Sequence, residues 1–454
     1  MNKDKENILE LITNEEVEWK KLGEVLKSIT TGLNPRKNFV LNDDSSGELT
    51  CWYITTKDYS DTEEIKFIEG KTARITKEAK EKINNRSKLE KGDLLFSAVG
   101  TVGKVAIVDI DTSNFDVNES TFVLKCDEKY LNNKYLLYLL REHKFQSQVE
   151  ALLKGSTLKG IRKGSLEKIK VPIPSLKLQE KIVDILDKLT LLQAELQAEL
   201  QCRTKQYEYY LEKLLTFDFE HDKASKQASK QAITLSEEYI KLLIKLSERF
   251  NVKISEKIKC MIYNISDVFM LSNGYTPSKR KQKYWDNGTI PWFRMEDIRK
   301  SGSVLYDSIQ KVTEKGVKGK LFPPDSIMMA TSATIGEHAL VKVPYLSNQR
   351  FTNFILKDKF KKNLNMKFMY YYFYIIDEKA KQNVNDSSFP SVNMEILIKY
   401  KIPVPSIEVQ NIIVEVLDKF SKYTNDANDG LLKEINLRQK EYEYYRGKLL
   451  DFRK

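Results

Sequence analysis

From Leu176 to Thr216 the chain runs without proline or glycine, and apolar residues recur at Ile182, Ile185, Leu189, Leu192 and Leu196, alternately three and four positions apart. That spacing predicts one long helix with a coiled-coil seam. At ~1.5 Å per residue it would extend about 60 Å, far beyond a core helix of ~12 residues. A second stretch, Ile407 to Phe452, is less regular, because NDANDG from Asn425 to Gly430 inserts turn-forming residues. Two such helices in one chain pair most simply with each other; the alternative is a surface helix on each domain. Elsewhere the pattern is mixed α and β. Short apolar runs at Leu94 to Ala98 and Ile327 to Ala330 follow the turn sequences LEKGD and FPPD, and Lys104 to Asp109 is β-branched after a glycine, which predicts strands. Leu131 to Val149 and Leu364 to Ala380 read as helices. The low-complexity ASKQASKQ, Ala224 to Gln231, reads as a flexible linker. A helix is expected after it, since Thr234-x-x-Glu237 forms a capping-box pattern ahead of Tyr239, Ile240, Leu243 and Leu246.

The two long stretches are copies of each other. KVPIPSLKLQEKIVDILDKL, from Lys170, returns as KIPVPSIEVQNIIVEVLDKF, from Lys401, displaced by 231 residues without a gap. Pro172, Pro174, Gln179 and Asp187 meet Pro403, Pro405, Gln410 and Asp418. RTKQYEYYLEKLLTF from Arg203 returns as RQKEYEYYRGKLLDF from Arg438, which aligns Tyr207, Tyr209 and Tyr210 with Tyr442, Tyr444 and Tyr445. Upstream the halves agree in outline: Gly32-x-x-Pro35 with Gly274-x-x-Pro277, Trp52 with Trp292, Thr101-Val-Gly103 with Thr334-Ile-Gly336, Asn118-Glu119 with Asn348-Gln349. A period this long marks a duplicated domain plan, a variable globular region followed by a shared segment.

Composition narrows the partner. The 454 residues carry 75 Lys plus Arg against 64 Asp plus Glu, a net charge of +11, which favours a polyanionic partner without proving one. Cys51, Cys126, Cys202 and Cys260 are far apart with no Cys-x-x-Cys pair, as expected of reduced cytosolic thiols. The start of the chain lacks a signal-peptide pattern, and the most apolar run, Phe368 to Ile376, is short of the ~20 residues of a membrane span, so a cytoplasmic location is expected.

Catalytic chemistry finds no support. Gly100-Thr-Val-Gly103-Lys104 has two residues between its glycines where a phosphate-binding loop needs four, and Val105 where it needs Ser or Thr. His143, His221 and His338 have no second ligand at metal spacing. No Asn- or Asp-Pro-Pro-aromatic tetrapeptide of an amino-methyltransferase occurs. No cofactor or metal is therefore expected in this chain, which reads as non-catalytic.

The doubled Pro-x-Pro and Gln-containing helix, with its two tyrosine clusters and with Gly274-Tyr-Thr-Pro277, Trp292 and Asp297 ahead of the second copy, resembles the specificity subunit of a type I restriction-modification system. The resemblance covers nearly the whole chain. It implies an α+β architecture with an internal pseudo-twofold repeat, two globular α/β target-recognition domains joined by two long antiparallel helices as a coiled coil. The expected divisions are an N-terminal extension 1–16, recognition domain 17–169, helical spacer 170–217, a linker with an extra helix 218–262, recognition domain 263–400 and spacer 401–454. That long linker departs from the family pattern. The implied partners are double-stranded DNA, two methyltransferase subunits and restriction or translocase subunits, with S-adenosylmethionine, ATP and Mg held only by those partners. The helices would act as a ruler between two DNA readers, against ~34 Å for a turn of B-DNA. Two different variable regions imply an asymmetric, bipartite target.

Base and phosphate contacts require basic or amide side chains. The candidates are Arg36, Lys37, Lys57, Arg74 and Lys104 in the first half, and Lys279, Arg280, Lys281, Lys283, Tyr284, Arg294, Arg299 and Arg350 in the second. The cluster SKRKQKYW, Ser278 to Trp285, is the densest, with a solvated charged loop as the alternative. Trp52 and Trp292, at matching positions in domains expected to read different sequences, are assigned to the core. Ile182, Ile185, Leu189, Leu192, Tyr207, Tyr210, Leu417, Tyr442 and Tyr445 are assigned to packing between helices or against a partner. The rival functions are a self-contained DNA methyltransferase or nuclease with unrecognised motifs, and a coiled-coil scaffold.

Overall fold

The computed structural model describes residues 15, 17–36, 38–45, 47–59, 64–154, 160–218, 231–248, 258–385, 390–425 and 430–452. These fall into two units: residues 1–198 with 434–454, and residues 199–433.

In the first unit the chain forms β1 (Glu18–Lys21), β2 (Leu26–Thr31), β3 (Cys51–Ile54), β4 (Ala73–Ile75), helix α1 (Lys77–Ser87), β5 (Leu94–Ser97), β6 (Val105–Ile107), β7 (Phe115–Val117) and β8 (Thr121–Cys126). Helices α2 (Asn133–Arg141), α3 (His143–Lys154) and α4 (Lys163–Leu166), strand β9 (Lys170–Ile173) and the long helix α5 (Leu176–Leu215) follow. The strands make a four-stranded sheet, β2-β8-β5-β6, a three-stranded sheet, β4-β3-β7, and the pair β1-β9. Strands form at the apolar runs because both faces are covered: all four residues of β5 are buried.

The expected helix from Leu131 to Val149 is two helices. Glu142 adopts extended backbone (φ −69°, ψ 143°), and Gln146 Nε2 donates at 2.5 Å to the Leu140 carbonyl, an acceptor that the break exposes, and at 2.8 Å to the Gly103 carbonyl of the β5–β6 turn. The apolar spacing runs through this break, so periodicity alone does not show it.

The second unit begins with β10 (Gln231–Thr234), α6 (Glu237–Glu248), β11 (Lys259–Asn264), α7 (Ile265–Val268), β12 (Phe269–Asn273), β13 (Ile290–Phe293), α8 (Met295–Ser301), β14 (Val304–Leu305) and β15 (Lys311–Val312). It continues through β16 (Ser326–Ala330), β17 (His338–Val341), β18 (Leu346–Ser347), β19 (Phe351–Leu356), α9 (Met366–Gln382), β20 (Val384–Asn385), β21 (Ser391–Val392), α10 (Met394–Leu397), β22 (Lys401–Val404), α11 (Ile407–Asn425) and α12 (Gly430–Leu449). Its sheets repeat the plan of the first unit with additions: β12-β19-β16-β17-β14, β15-β13-β18 and β10-β11-β22. The expected linker ASKQASKQ lies outside the described residues, save Gln231, which starts β10. Beyond it, the extra helix α6 belongs to the core, with Tyr239, Ile240, Leu243 and Leu246 buried. Its N-cap is Ser236, whose hydroxyl accepts from Tyr239 N at 3.2 Å, and not Thr234, which is held in β10.

The duplication is explicit in the hydrogen bonds. Gln179 is fully buried, accepts from Asn132 N at 2.8 Å and donates to the Tyr130 and Pro174 carbonyls; Gln410 is fully buried, accepts from Asn365 N at 2.8 Å and donates to the Asn363 and Pro405 carbonyls. Asp187 accepts from Tyr138 and Lys134, Asp418 from Tyr371 and Lys367. These pairs fasten each shared helix to the helix of its own variable region, α2 or α9.

Helix α5 is unbroken, as its lack of glycine and proline predicts; the second stretch is helical over Ile407–Asn425 and Gly430–Leu449, and residues 426–429, where a break or kink is expected, lie outside the described residues. Within the first unit Gln193 bonds Gln439 at 2.8 Å, and within the second Tyr210 stacks on Phe420 at 5.1 Å, so in each unit α5 packs beside part of the second helical stretch. Both expected arrangements hold together, since Ile182, Ile185 and Leu189 are buried in one cluster with Leu136 of α2 and Tyr442 of α12. Leu192 is half-buried. Leu417 shares a cluster with Tyr207.

Candidate nucleic-acid interface

Each variable region is built on the same close approach. A Cβ on Gly32 would stand 1.6 Å from the Val117 carbonyl oxygen, and one on Gly274 would stand 2.2 Å from that of Asn348. Glycine is the residue that lets these strand ends touch. Trp292 is 1% exposed and donates from Nε1 to the Tyr275 carbonyl at 3.0 Å, while Trp52, half-buried, stacks on Phe67 at 5.5 Å. Both tryptophans pack inside their domains.

The basic cluster of the second unit is an anchored loop. Trp285 packs edge-on against Trp292 at 4.9 Å and donates to the Ser278 carbonyl at 3.2 Å. Lys279, Arg280, Lys281 and Lys283 are exposed, with the Lys281 and Lys283 ammonium groups 5.4 and 5.9 Å from the ring of half-buried Tyr284. Arg350 is exposed and follows Gln349 at the turn into β19, and Arg299 is exposed within 3.4 Å of Glu337. Arg294 pairs with Glu296 at 2.6 Å and lies over Trp292.

In the first unit Arg36, Lys57 and Lys104 are exposed. Lys37 lies outside the described residues. Arg74 is engaged internally: its guanidinium covers Trp52 at 4.0 Å and donates to the Leu49 carbonyl at 2.7 Å. The structure thus gathers the second-half candidates from Lys279 to Tyr284 into one loop and leaves the first-half candidates dispersed.

A polar cleft of about 580 Å³ opens in the second unit at the ends of β12, β16 and β19, lined by residues including Asn273, Thr331, Ser332, Gln349, Thr352 and Asn385. Thr352 donates to Asn273 Oδ1 at 3.0 Å and pairs with Thr331 at 3.0 Å. Thr276 donates to Gln349 Oε1 at 2.5 Å, which ties the cleft edge to the turn that leads into the basic loop. Sequence reasoning missed these residues because they come from separate segments with no local spacing; the repeated Asn-Glu and Asn-Gln dipeptides were the one available signal.

Below the sheet, buried His338 bridges the Asp377 carboxylate and the Tyr370 carbonyl. Burial pushes the Asp377 carboxyl up and the neighbouring imidazole opposes it. This pair mounts α9 on β17. Among the described residues no three His, Cys, Asp or Glu side chains group to hold a metal ion, and no helix is long and apolar enough to cross a membrane.

In each tyrosine triplet the outer two pack and the middle one points out. Tyr207 and Tyr442 are buried, Tyr210 and Tyr445 half-buried, and Tyr209 and Tyr444 remain 54% and 57% exposed.

The profile of the type I restriction modification DNA specificity domain matches residues 14–202 and 257–437. The specificity subunit of the Escherichia coli type I enzyme EcoprrI is 46% identical over 209 residues, a match spanning 44% of this chain and 52% of that relative. The Escherichia coli EcoR124I/EcoR124II specificity subunit is 30% identical, covering 98% of this chain and 96% of its own. A solved S subunit from M. genitalium, 16% identical, aligns over 97% of this chain and 98% of its own with a TM-score of 0.52. A chain solved for assembly and conformational transition of the type I R-M system, 15% identical, aligns over 96% and 97% with a TM-score of 0.56.

Proposed function

Because the chain belongs to the type I restriction-modification DNA specificity family, we propose that it is the DNA-reading subunit of such a system, non-catalytic itself, and that each variable region reads one half of a bipartite site. The recognition domains would be residues 17–169 and 263–400, the spacers 170–217 and 401–454, with an extension 1–16 and a connecting segment 218–262. The observation that carries this reading is the shared frame: Gln179 and Gln410, Asp187 and Asp418, and Gly32 and Gly274 make matching contacts while the surfaces around the strand ends differ. A duplicated scaffold with unlike surfaces fits two unlike half-sites.

The loop from Lys279 to Lys283 supplies phosphate contacts, with Arg299 and Arg350 as further basic groups of the same domain and Arg36, Lys57 and Lys104 as their counterparts in the first. Relatives named as subunits of restriction enzymes support partners for this chain as well. Two methyltransferase subunits would dock on the shared helices, where exposed Tyr209 and Tyr444 give each copy an aromatic anchor. S-adenosylmethionine, ATP and Mg would be held by those partners and by restriction subunits.

Mapping methylated adenines across the host genome with and without this gene tests the reading. Loss of one split, asymmetric motif on deletion is the expected result. Retention of every motif while the partner genes are expressed would overturn it.

A further inference from the structure

The hydrogen bonds superimpose the two variable regions position by position around the cleft. Ala98 N donates to the Ser120 carbonyl and Thr331 N to that of Arg350; Ile161 N donates to the Ala98 carbonyl and Val392 N to that of Thr331. Val99 bridges Gly160 as Ser332 bridges Ser391, and Thr31 faces Phe122 as Asn273 faces Thr352. On this register Glu119 occupies the place of Gln349, and Arg162 that of Asn393.

The side chains at these places are almost wholly different. Where the second unit has Asn273, Thr331, Ser332, Gln349 and Thr352, the first has Thr31, Ala98, Val99, Glu119 and Phe122. The backbone frame is held constant while its lining is exchanged, which is the pattern required of a surface that sets sequence preference. A phosphate-holding surface would keep its donors in both copies. The exposed carboxylate of Glu119 is repelled by phosphate, but it can accept from the amino groups of cytosine or adenine.

Resting on the DNA-reading role above, we propose that this cleft in the second domain and the matching strand ends in the first are the base-reading sites, with Gln349 and Asn385 as reading side chains in the second domain and Glu119 in the first. The chemistry of the second cleft is donor-rich. Thr276 donates to Gln349 Oε1 and Thr352 to Asn273 Oδ1, so Gln349 and Asn273 present their NH2 groups to the cleft that Asn385 also lines. Such donors match the N7 and O6 of guanine and the O4 of thymine in the major groove. The adjoining loop at Lys279 to Lys283 then holds the backbone while the cleft reads the edges.

The test replaces the chromosomal gene by Gln349→Ala, Asn385→Ala, Gln349→Glu or Glu119→Gln and maps methylated adenines with the native partners present. Gln349→Ala and Asn385→Ala should relax one or two base positions in a single half of the motif by roughly tenfold in discrimination, leaving the other half intact. Gln349→Glu should shift the preferred base toward cytosine or adenine at the same position, and Glu119→Gln should alter the opposite half. Unchanged motifs in all four strains, or equal weakening of both halves, would overturn the cleft assignment while leaving the DNA-reading role standing. A wild-type strain with no motif dependent on the gene would instead remove that role. The three residues are exposed, and the retained half of the motif reports a folded chain in the same experiment.

Discussion

Two buried side chains show how single residues carry the duplicated plan. Gln410 satisfies one backbone N–H and two backbone carbonyls with one amide, and Gln179 does the same in the other unit. Removing either leaves several buried polar groups without partners, so Gln179→Ala and Gln410→Ala should each cost about 3 kcal/mol, read as a lowered denaturant midpoint of the affected unit. Equal destabilisation is expected from the two variants; a difference of several fold would mean that the two attachments are not equivalent. Asp116 is the opposite case. It is fully buried, accepts from Val117 N, and burial raises its carboxyl to about 6. A carboxyl raised above its unfolded value favours the fold most below about pH 4, and that contribution disappears as pH rises through about 6. Asp116→Asn should therefore stabilise the first unit at pH 7 by up to about 3 kcal/mol, with the advantage vanishing near pH 4 in thermal melts across that range.

At the scale of elements, the anchored loop from Ser278 to Trp285 gives a second check. Replacing Lys279, Arg280, Lys281 and Lys283 by Ala should weaken DNA binding and reduce the salt slope by ~0.9 for each phosphate that the variant no longer neutralises. An unchanged slope in salt titrations by fluorescence anisotropy would assign these basic side chains to solvent. The loop and helix α5 were legible in sequence because each is a local pattern: a run of basic residues just ahead of Trp285, and a seam of three-four spacing without a breaker. The break at Glu142 was not, since the apolar stripe continues across it and the stop depends on Gln146 reaching back to Leu140. Strand β10 was hidden for a related reason: Gln231–Thr234 becomes a strand by pairing with β11, a partner the local sequence does not announce. The cleft was the least legible element, because Asn273, Thr331, Gln349 and Asn385 converge through sheet register rather than spacing.

For the molecule as a whole, modular exchange is the expected behaviour. Replacing Ile265 to Ser387 with the corresponding region of another such protein should change one half of the methylated motif, and a change in both halves would break the two-reader scheme. The division of the chain also sets the order in which its parts can be finished. The second unit is one continuous stretch, residues 199–433, whereas the first needs residues 434–454 as well as 1–198. Tyr442, Leu449, Leu450 and Phe452 complete a core begun by Leu22 and Val25. On the ribosome, therefore, the half translated first is the half that closes last: its apolar face waits through the synthesis of the entire second unit, and during that interval it is the part of the nascent chain most in need of a chaperone.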